Sequence, residues 1–218
     1  MKAVIFDFDG TLLDTERAWW EAYSALYRRH GRQFPSHLYA KTVGTTNDAF
    51  DPIQHLCEAE TNLKPGDAAR EVEAAHRELL EGEPLRPGVR ASLEELHRLG
   101  IAIGLATSSH RAYVEPFLVQ HRIRDFFAVV ATADDVEQVK PHPALYQLAC
   151  QRLGVAPRNA LAVEDSPNGA QAAIAAGLHV LCVPNALTQQ MAFPDGCHFR
   201  RSLEGLDWEM LIASLLKD

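Results

Sequence analysis

The chain has 218 residues, a formal net charge of −8, 47% hydrophobic and 23% charged side chains, enough for one α/β-sized core with a smaller insert. No apolar run nears the ~20 residues of a membrane span, the apolar start runs straight into Asp7 and Asp9 as a secretory signal would not, and no basic block suits a nucleic-acid footprint. The expectation is a cytoplasmic monomer without a nucleic-acid or membrane partner, open to a small phosphorylated ligand if a cation reverses the field in one cleft.

Ala3 to Phe6 is a short β-branched and aromatic run, read as a buried strand, and Gly10 ends it in a tight turn. Asp7 and Asp9 are thus delivered to the lip of a sheet, where open α/β proteins place their ligands. Two acids so close repel unless a cation or shared proton separates them. Trp19, Ala22, Tyr23, Leu26 and Tyr27 recur at helical spacing, and Gly31 ends that helix. From about Glu16 to Glu81 no apolar strand occurs; the segment is helical and charged, as in Ala68 to Leu80.

After Pro87 the rhythm changes. Leu93, Leu96 and Leu99 mark a helix, Ile101–Ala106 a strand, Tyr113, Val114 and Phe117 a helix, and Phe127–Val130 a strand. Ala144–Leu153 reads as a helix, Ala160–Val163 as a strand, Gly169–Ala176 as a helix and Val180–Val183 as the final strand. Strands apolar on both faces that alternate with helices predict a Rossmann-like parallel sheet with helices on both faces. An α-helical cap domain is inserted after the first strand: 1–15 and 83–218 form the α/β core, and 16–82 the cap. The four cysteines, Cys57, Cys150, Cys182 and Cys197, are scattered without C-x-x-C spacing and predict no disulfide framework.

The polar residues at the predicted strand ends are Asp7 and Asp9, then Thr107-Ser108-Ser109, then Glu164-Asp165-Ser166; Lys140, braced by Pro141, precedes a helix. Each piece alone has a plain structural reading. Either acid pair is as readily a helix cap, Thr107 or Ser108 a cap, Lys140 a solvated side chain. Trp19 and Tyr23 read as packing residues, and His76 and His97 as exposed positions on charged helix faces. Together, four acids, a hydroxyl and a lysine at neighbouring strand ends make a phosphoryl-transfer site: carboxylates suit Mg²⁺, a lysine and hydroxyl hold phosphate oxygens, and a carboxylate can attack phosphorus.

Phe6-Asp7-Phe8-Asp9-Gly10-Thr11, Thr107, Lys140-Pro141 and Val163-Glu164-Asp165-Ser166 resemble, in order and across the whole chain, the four motifs of the haloacid dehalogenase superfamily. Asp14-Thr15-Glu16 and Ser166-Pro167-Asn168-Gly169 are similar to the subgroup with a helical cap, which includes β-phosphoglucomutase and sugar-phosphate phosphatases. The resemblance implies Asp7 as nucleophile and Asp9 as general acid, then base. It implies Mg²⁺ held by Asp7, the Asp9 carbonyl and Asp165, with Glu164 as direct or water-linked partner. Thr107, Ser108 and Lys140 would hold the phosphoryl oxygens, and Trp19, Tyr23, Thr45, Thr46 and Asn47 of the cap would face the leaving group. Thr15, Glu16 and Glu83 to Pro87 would be hinges.

The expected reaction is hydrolysis of a sugar or polyol phosphate. The mutases of the subgroup carry a cap histidine where Trp19 stands and an arginine after a glycine where Gly44-Thr45-Thr46 stands, and Thr11 is the common phosphatase choice. The other readings are a β-phosphoglucomutase-like mutase and a non-catalytic phosphometabolite-binding module. A halide-releasing enzyme would lack Asp9, and a phosphonate hydrolase would need a reactive cap lysine, for which Lys41 and Lys64 offer no sign.

Overall fold

The computed structural model describes residues 1–39, 50–60 and 62–215. Its centre is β1, Ala3–Phe6, wholly buried because it is covered on both faces. Val4 and Phe6 point into one hydrophobic cluster and Ala3 and Ile5 into another, the period-two alternation of a strand expressed in a two-sided core.

Six parallel strands form the sheet: β1, β2 (Ala102–Ala106), β3 (Val129–Ala131), β4 (Ala160–Glu164), β5 (His179–Cys182) and β6 (Cys197–Phe199), in spatial order β3-β2-β1-β4-β5-β6. This is the expected Rossmann-like α/β fold. The order reverses at β1, so a crevice opens at the C-terminal ends of β1, β2 and β4.

Helices α5 (Val89–Arg98), α6 (Arg111–Gln120) and α9 (Trp208–Leu215) supply Leu93, Leu96, Val114, Leu118, Trp208 and Leu211 to one face. Helices α7 (Ala144–Leu153) and α8 (Pro167–Ala175) cover the other with Leu145, Tyr146, Ala149, Ala170 and Ala173. Burying such side chains is worth roughly 1.5–3 kcal/mol for each large one.

Two readings of the sheet are corrected. β3 begins at Val129, two residues later than expected, because Phe127 and Ala128 follow a short 3-10 turn over Arg124–Phe126. Val180–Val183 is not the last strand: β6 and α9 follow. β6 is a three-residue, mostly exposed edge strand after Pro194-Asp195-Gly196, too short and too polar to show alternation.

Between β1 and α5 the described residues are helical: α1 (Thr15–Arg29), α2 (Ser36–Tyr39), α3 (Pro52–Ala59) and α4 (Pro65–Leu80). They share a third hydrophobic cluster, with Ala22, Tyr23, Leu26, Tyr27, Phe34, Leu56, Ala68 and Val72 at its centre. Asp51 starts α3 by accepting from the Ile53 and Gln54 amides at 2.8 and 3.1 Å. His76 departs from its expected exposure: it is buried, its ring stacked on Trp19 with centroids 3.6 Å apart. Within the described residues no helix is long and apolar enough to cross a membrane, and the four cysteines are free.

Candidate active site

The residue after each of β1 and β2, and the last residue of β4 with its successor, bring polar side chains to this edge of the sheet. Asp7 follows β1 and is held by its own amide on Val163 O at 2.9 Å. Glu164 ends β4 and Asp165 follows it. The carboxylates of Asp7, Glu164 and Asp165 are buried and offer oxygens within 4.8 Å of one another.

Lys140 enters this cluster from the loop before α7. Its buried ammonium donates to Asp7 Oδ1 at 2.5 Å and Glu164 Oε1 at 2.7 Å, and lies 5.0 Å from the centre of the Tyr146 ring. Burial works against its charge, but Asp7 and Glu164 outweigh that and hold its pKa above the ordinary lysine range. Glu164 also accepts from the Tyr146 hydroxyl at 2.6 Å, the Asp165 amide at 3.2 Å and the Ser166 hydroxyl at 3.3 Å. Asp165 accepts from Asn185 Nδ2 at 2.7 Å and Thr11 Oγ1 at 3.5 Å.

Three carboxylates against one ammonium leave a formal excess of two negative charges. The protonation equilibria register the crowding. Burial pushes Asp7 up to about 8, with Lys140 drawing it down and Glu164 and Asp9 adding to the rise. Burial, then Asp7 and Glu164, raise Asp165 well above the ordinary range. A compact, oxygen-only donor set with excess negative charge fits a hard divalent cation such as Mg²⁺.

Asp9 is turned away from the cluster. Its Oδ1 accepts from Thr15 Oγ1 at 2.8 Å, and its Oδ2 from Ser109 Oγ at 2.5 Å and Thr107 Oγ1 at 3.5 Å. Desolvation raises its pKa, and the Ser109 and Thr15 hydroxyls oppose the rise. Two acids separated by one residue therefore occupy different surroundings, one beside an ammonium and two carboxylates, the other among hydroxyls.

Two glycines make room. Gly10 turns with φ +73°, and a Cβ there would stand 2.3 Å from Asp165 Oδ2. Gly169, in the first turn of α8, lies against Glu164, and a Cβ there would fall 2.0 Å from its Oε1. Arg86 fastens the turn to the neighbouring loop, donating to the carbonyls of Gly10, Val183 and Pro184.

Above the site an open cleft of about 1180 Å³ runs between α1 and α4 on one side and α6 on the other. Asp7, Asp9, Ser108 and Ser109 line its floor; Trp19, Tyr23, Tyr39, His76 and Tyr113 line its walls. Thus Asp7, Glu164, Asp165 and Lys140 come together, with Asp9, Thr107 and Ser108 beside the cleft floor. The fully buried Thr107 hydroxyl faces Asp9 and accepts the Ser109 amide at 3.0 Å. Trp19 and Tyr23 reach the cleft wall, whereas Thr45, Thr46 and Asn47 lie outside the described residues.

Sequence reasoning missed Ser109, Tyr146, Asn185 and the buried faces of Glu16, Tyr39, His76 and Tyr113. Ser109 directly follows the Thr107-Ser108 pair in the sequence. Tyr146 reads as an ordinary helix-face aromatic, and Asn185 sits in a loop with no motif.

A model of the family described as haloacid dehalogenase-like hydrolase matches residues 4–183. A Bacillus subtilis (strain 168) relative named "Putative phosphatase YhcW" is 40% identical over 99% of this chain and 98% of its own. The "Phosphorylated carbohydrates phosphatase" of Thermotoga maritima is 33% identical over 82% of each chain. Among solved structures, CbbY from Rhodobacter sphaeroides in complex with phosphate superposes with a TM-score of 0.75 at 29% identity, covering 94% of this chain and 96% of that one.

Proposed function

The chain belongs to the haloacid dehalogenase-like hydrolases and is a phosphoric monoester hydrolase, and from that premise we propose a Mg²⁺-dependent phosphatase that cleaves a small sugar or polyol phosphate through an aspartyl phosphate on Asp7. One observation carries the reading: Asp7 stands with Lys140, Glu164 and Asp165 in a buried charged cluster, while Asp9, two residues on, has its carboxylate held by hydroxyls at the cleft floor.

The Asp7 carboxylate attacks phosphorus in line. The Asp7–phosphorus bond forms as the bond to the leaving oxygen breaks, and protonated Asp9 delivers its proton to that oxygen. Asp9 then takes a proton from water, whose oxygen attacks phosphorus, releasing phosphate and restoring Asp7. The raised pKa of Asp9 suits the first role. The Thr15 and Ser109 hydroxyls keep its two oxygens oriented for both proton transfers. Lys140 pairs with Asp7 and offsets charge gathering on the transferred phosphoryl group. Thr107 and Ser108 complete the phosphoryl-binding loop. Mg²⁺ held by Asp7, Asp165 and Glu164, with the Asp9 carbonyl, would let a carboxylate approach an anionic phosphate.

Residues 16–82 serve as the cap over a core of 1–15 and 83–218, with Trp19, Tyr23, Thr45, Thr46 and Asn47 toward the leaving group. The relative named for phosphorylated carbohydrates supports that substrate class. The protein acts as a cytoplasmic monomer on a small metabolite, without nucleic acid or membrane. Phosphate release from a panel of sugar, polyol and aryl phosphates with Mg²⁺ tests the reading. Turnover that is lost in Asp7→Asn supports it; a wild type as inert as Asp7→Asn on the whole panel overturns it in favour of a binding module. Glucose 6-phosphate formed from β-glucose 1-phosphate faster than free phosphate appears would overturn it in favour of a mutase.

A further inference from the structure

Asn185 is a buried side chain in the loop after β5 that the chemistry above does not use. Its Nδ2 donates to Asp165 Oδ2 at 2.7 Å. Its Oδ1 accepts from the Leu187 and Thr188 amides at 2.9 and 3.1 Å and from the Thr188 hydroxyl at 3.3 Å. Those bonds fix which way the amide faces. Turned over, it would set its NH₂ group against two backbone N–H donors and its oxygen against a carboxylate. The turn of chain after Asn185 therefore presents a donor to Asp165.

The bond is enclosed on two sides. The Gly10 backbone lies over it: a Cβ there would stand 2.3 Å from Asp165 Oδ2 and 2.8 Å from Asn185 Nδ2. Arg86 clamps the two flanking turns together, donating to the Gly10 carbonyl on one side and to the carbonyls of Val183 and Pro184, just before Asn185, on the other. Asp165 Oδ2 is thus committed to Asn185. Asp165 Oδ1 has the Thr11 hydroxyl at 3.5 Å, a long contact that leaves it open to a stronger partner.

We propose that Asn185 is a positioning residue for the cation site: by holding Asp165 Oδ2 it fixes the carboxylate so that Oδ1 is presented to Mg²⁺ beside Asp7 and Glu164. The inference rests on the metal reading above and adds to it a side chain that touches neither cation nor substrate. Mg²⁺ demands near-ideal octahedral geometry, so a carboxylate free to rotate binds it less well. Removing the outer partner of a metal-bound carboxylate costs about 10–100-fold in affinity.

The test is calorimetric titration of wild type, Asn185→Ser and Thr188→Val with Mg²⁺, without substrate. Serine caps the Leu187 and Thr188 amides about as well as asparagine but is too short to reach Asp165. Thr188→Val loosens the same loop, removing the hydroxyl that accepts the Asn185 amide at 3.0 Å, and leaves Nδ2 on Asp165. Asn185→Ser raises the Mg²⁺ Kd by about tenfold or more, and Thr188→Val by less than about threefold. Excess Mg²⁺ returns the kcat of Asn185→Ser to within about twofold of wild type, since the defect lies in holding the ion. An unchanged Kd in Asn185→Ser overturns the proposal, as does a Thr188→Val protein that loses as much. A purely structural role would lower kcat at every Mg²⁺ concentration and leave Kd in place. One readout needs no variant: in wild type the side-chain amide NMR signal of Asn185 moves with Mg²⁺ and saturates at the calorimetric Kd, and a signal unmoved by bound Mg²⁺ also overturns the proposal. Mg²⁺ bound equally by wild type and Asn185→Ser sinks the proposal alone, whereas a wild type that binds no Mg²⁺ sinks the metal reading and the proposal with it.

Discussion

Replacing Gly169 by alanine sets one methyl group against the buried Glu164 carboxylate. By helix propensity alone the change should stabilise α8 by about 1 kcal/mol. The structure opposes this. The new Cβ would stand 2.0 Å from Glu164 Oε1 and 2.1 Å from its Oε2. Glu164 is fully buried and tied by Lys140, Tyr146, the Asp165 amide and Ser166, so it cannot swing into water. Displacing it sacrifices about two bonds to a charged group, each worth roughly 1.5–3 kcal/mol. The collision therefore outweighs propensity, and the net loss is about 2–5 kcal/mol. Urea unfolding checks it: with a slope of about 2–3 kcal/mol/M, the midpoint falls by about 1–2 M. Phosphatase activity falls with it, because Glu164 anchors the ammonium that pairs with Asp7. A Gly169→Ala protein at least as stable as wild type and fully active would refute the reasoning.

Ser109→Ala removes a donor that favours ionised Asp9. The pKa of Asp9 rises further, so the basic limb of the kcat/KM profile, where the general acid loses its proton, moves to higher pH; a limb that stays or moves down counts against Asp9 as the acid. Burial holds neutral His76 down, to about 4 from its ordinary 6.5. The unfolded chain then binds the proton first, so stability is full above about pH 6.5 and falls toward pH 4, by up to about 3 kcal/mol. His76→Phe keeps an aromatic against Trp19 and flattens that slope in denaturant midpoints measured from pH 7 to pH 4. EDTA abolishes turnover and Mg²⁺ restores it, while Mg²⁺ at a hundred times its Kd stabilises the fold by about 2.7 kcal/mol in thermal unfolding; a magnesium-independent melting curve with undiminished activity contradicts the metal assignment.

The sheet was legible because its strands are short apolar runs punctuated by glycine and proline, and because a parallel sheet brings polar strand ends to one edge. That is why Asp7, Asp165 and Lys140 could be grouped although up to 158 positions separate them. Side chains that reach the site from inside other elements were not legible. Tyr146 faces the core like any helix aromatic, and its hydroxyl meets Glu164 at 2.6 Å although α7 packs chiefly on β2 and β3. His76 has Ala75 and Arg77 beside it in sequence, but a helix turns about 100° per residue, and Trp19 lies across that face alone. β6 left no signature, since an edge strand of three residues is defined by its neighbour rather than by its own pattern. Thr15 and Glu16 stand at the expected hinge; their side chains hold Asp9 and meet Tyr39, contacts that no local pattern announces.

The direct test of a covalent route is to quench the enzyme with acid during turnover of a phosphate ester with Mg²⁺ and map phosphate by mass spectrometry. The account predicts an acyl phosphate on Asp7, absent from Asp7→Asn. A wild type that turns over rapidly and carries no phosphate there, with Asp7→Asn equally active, would contradict it.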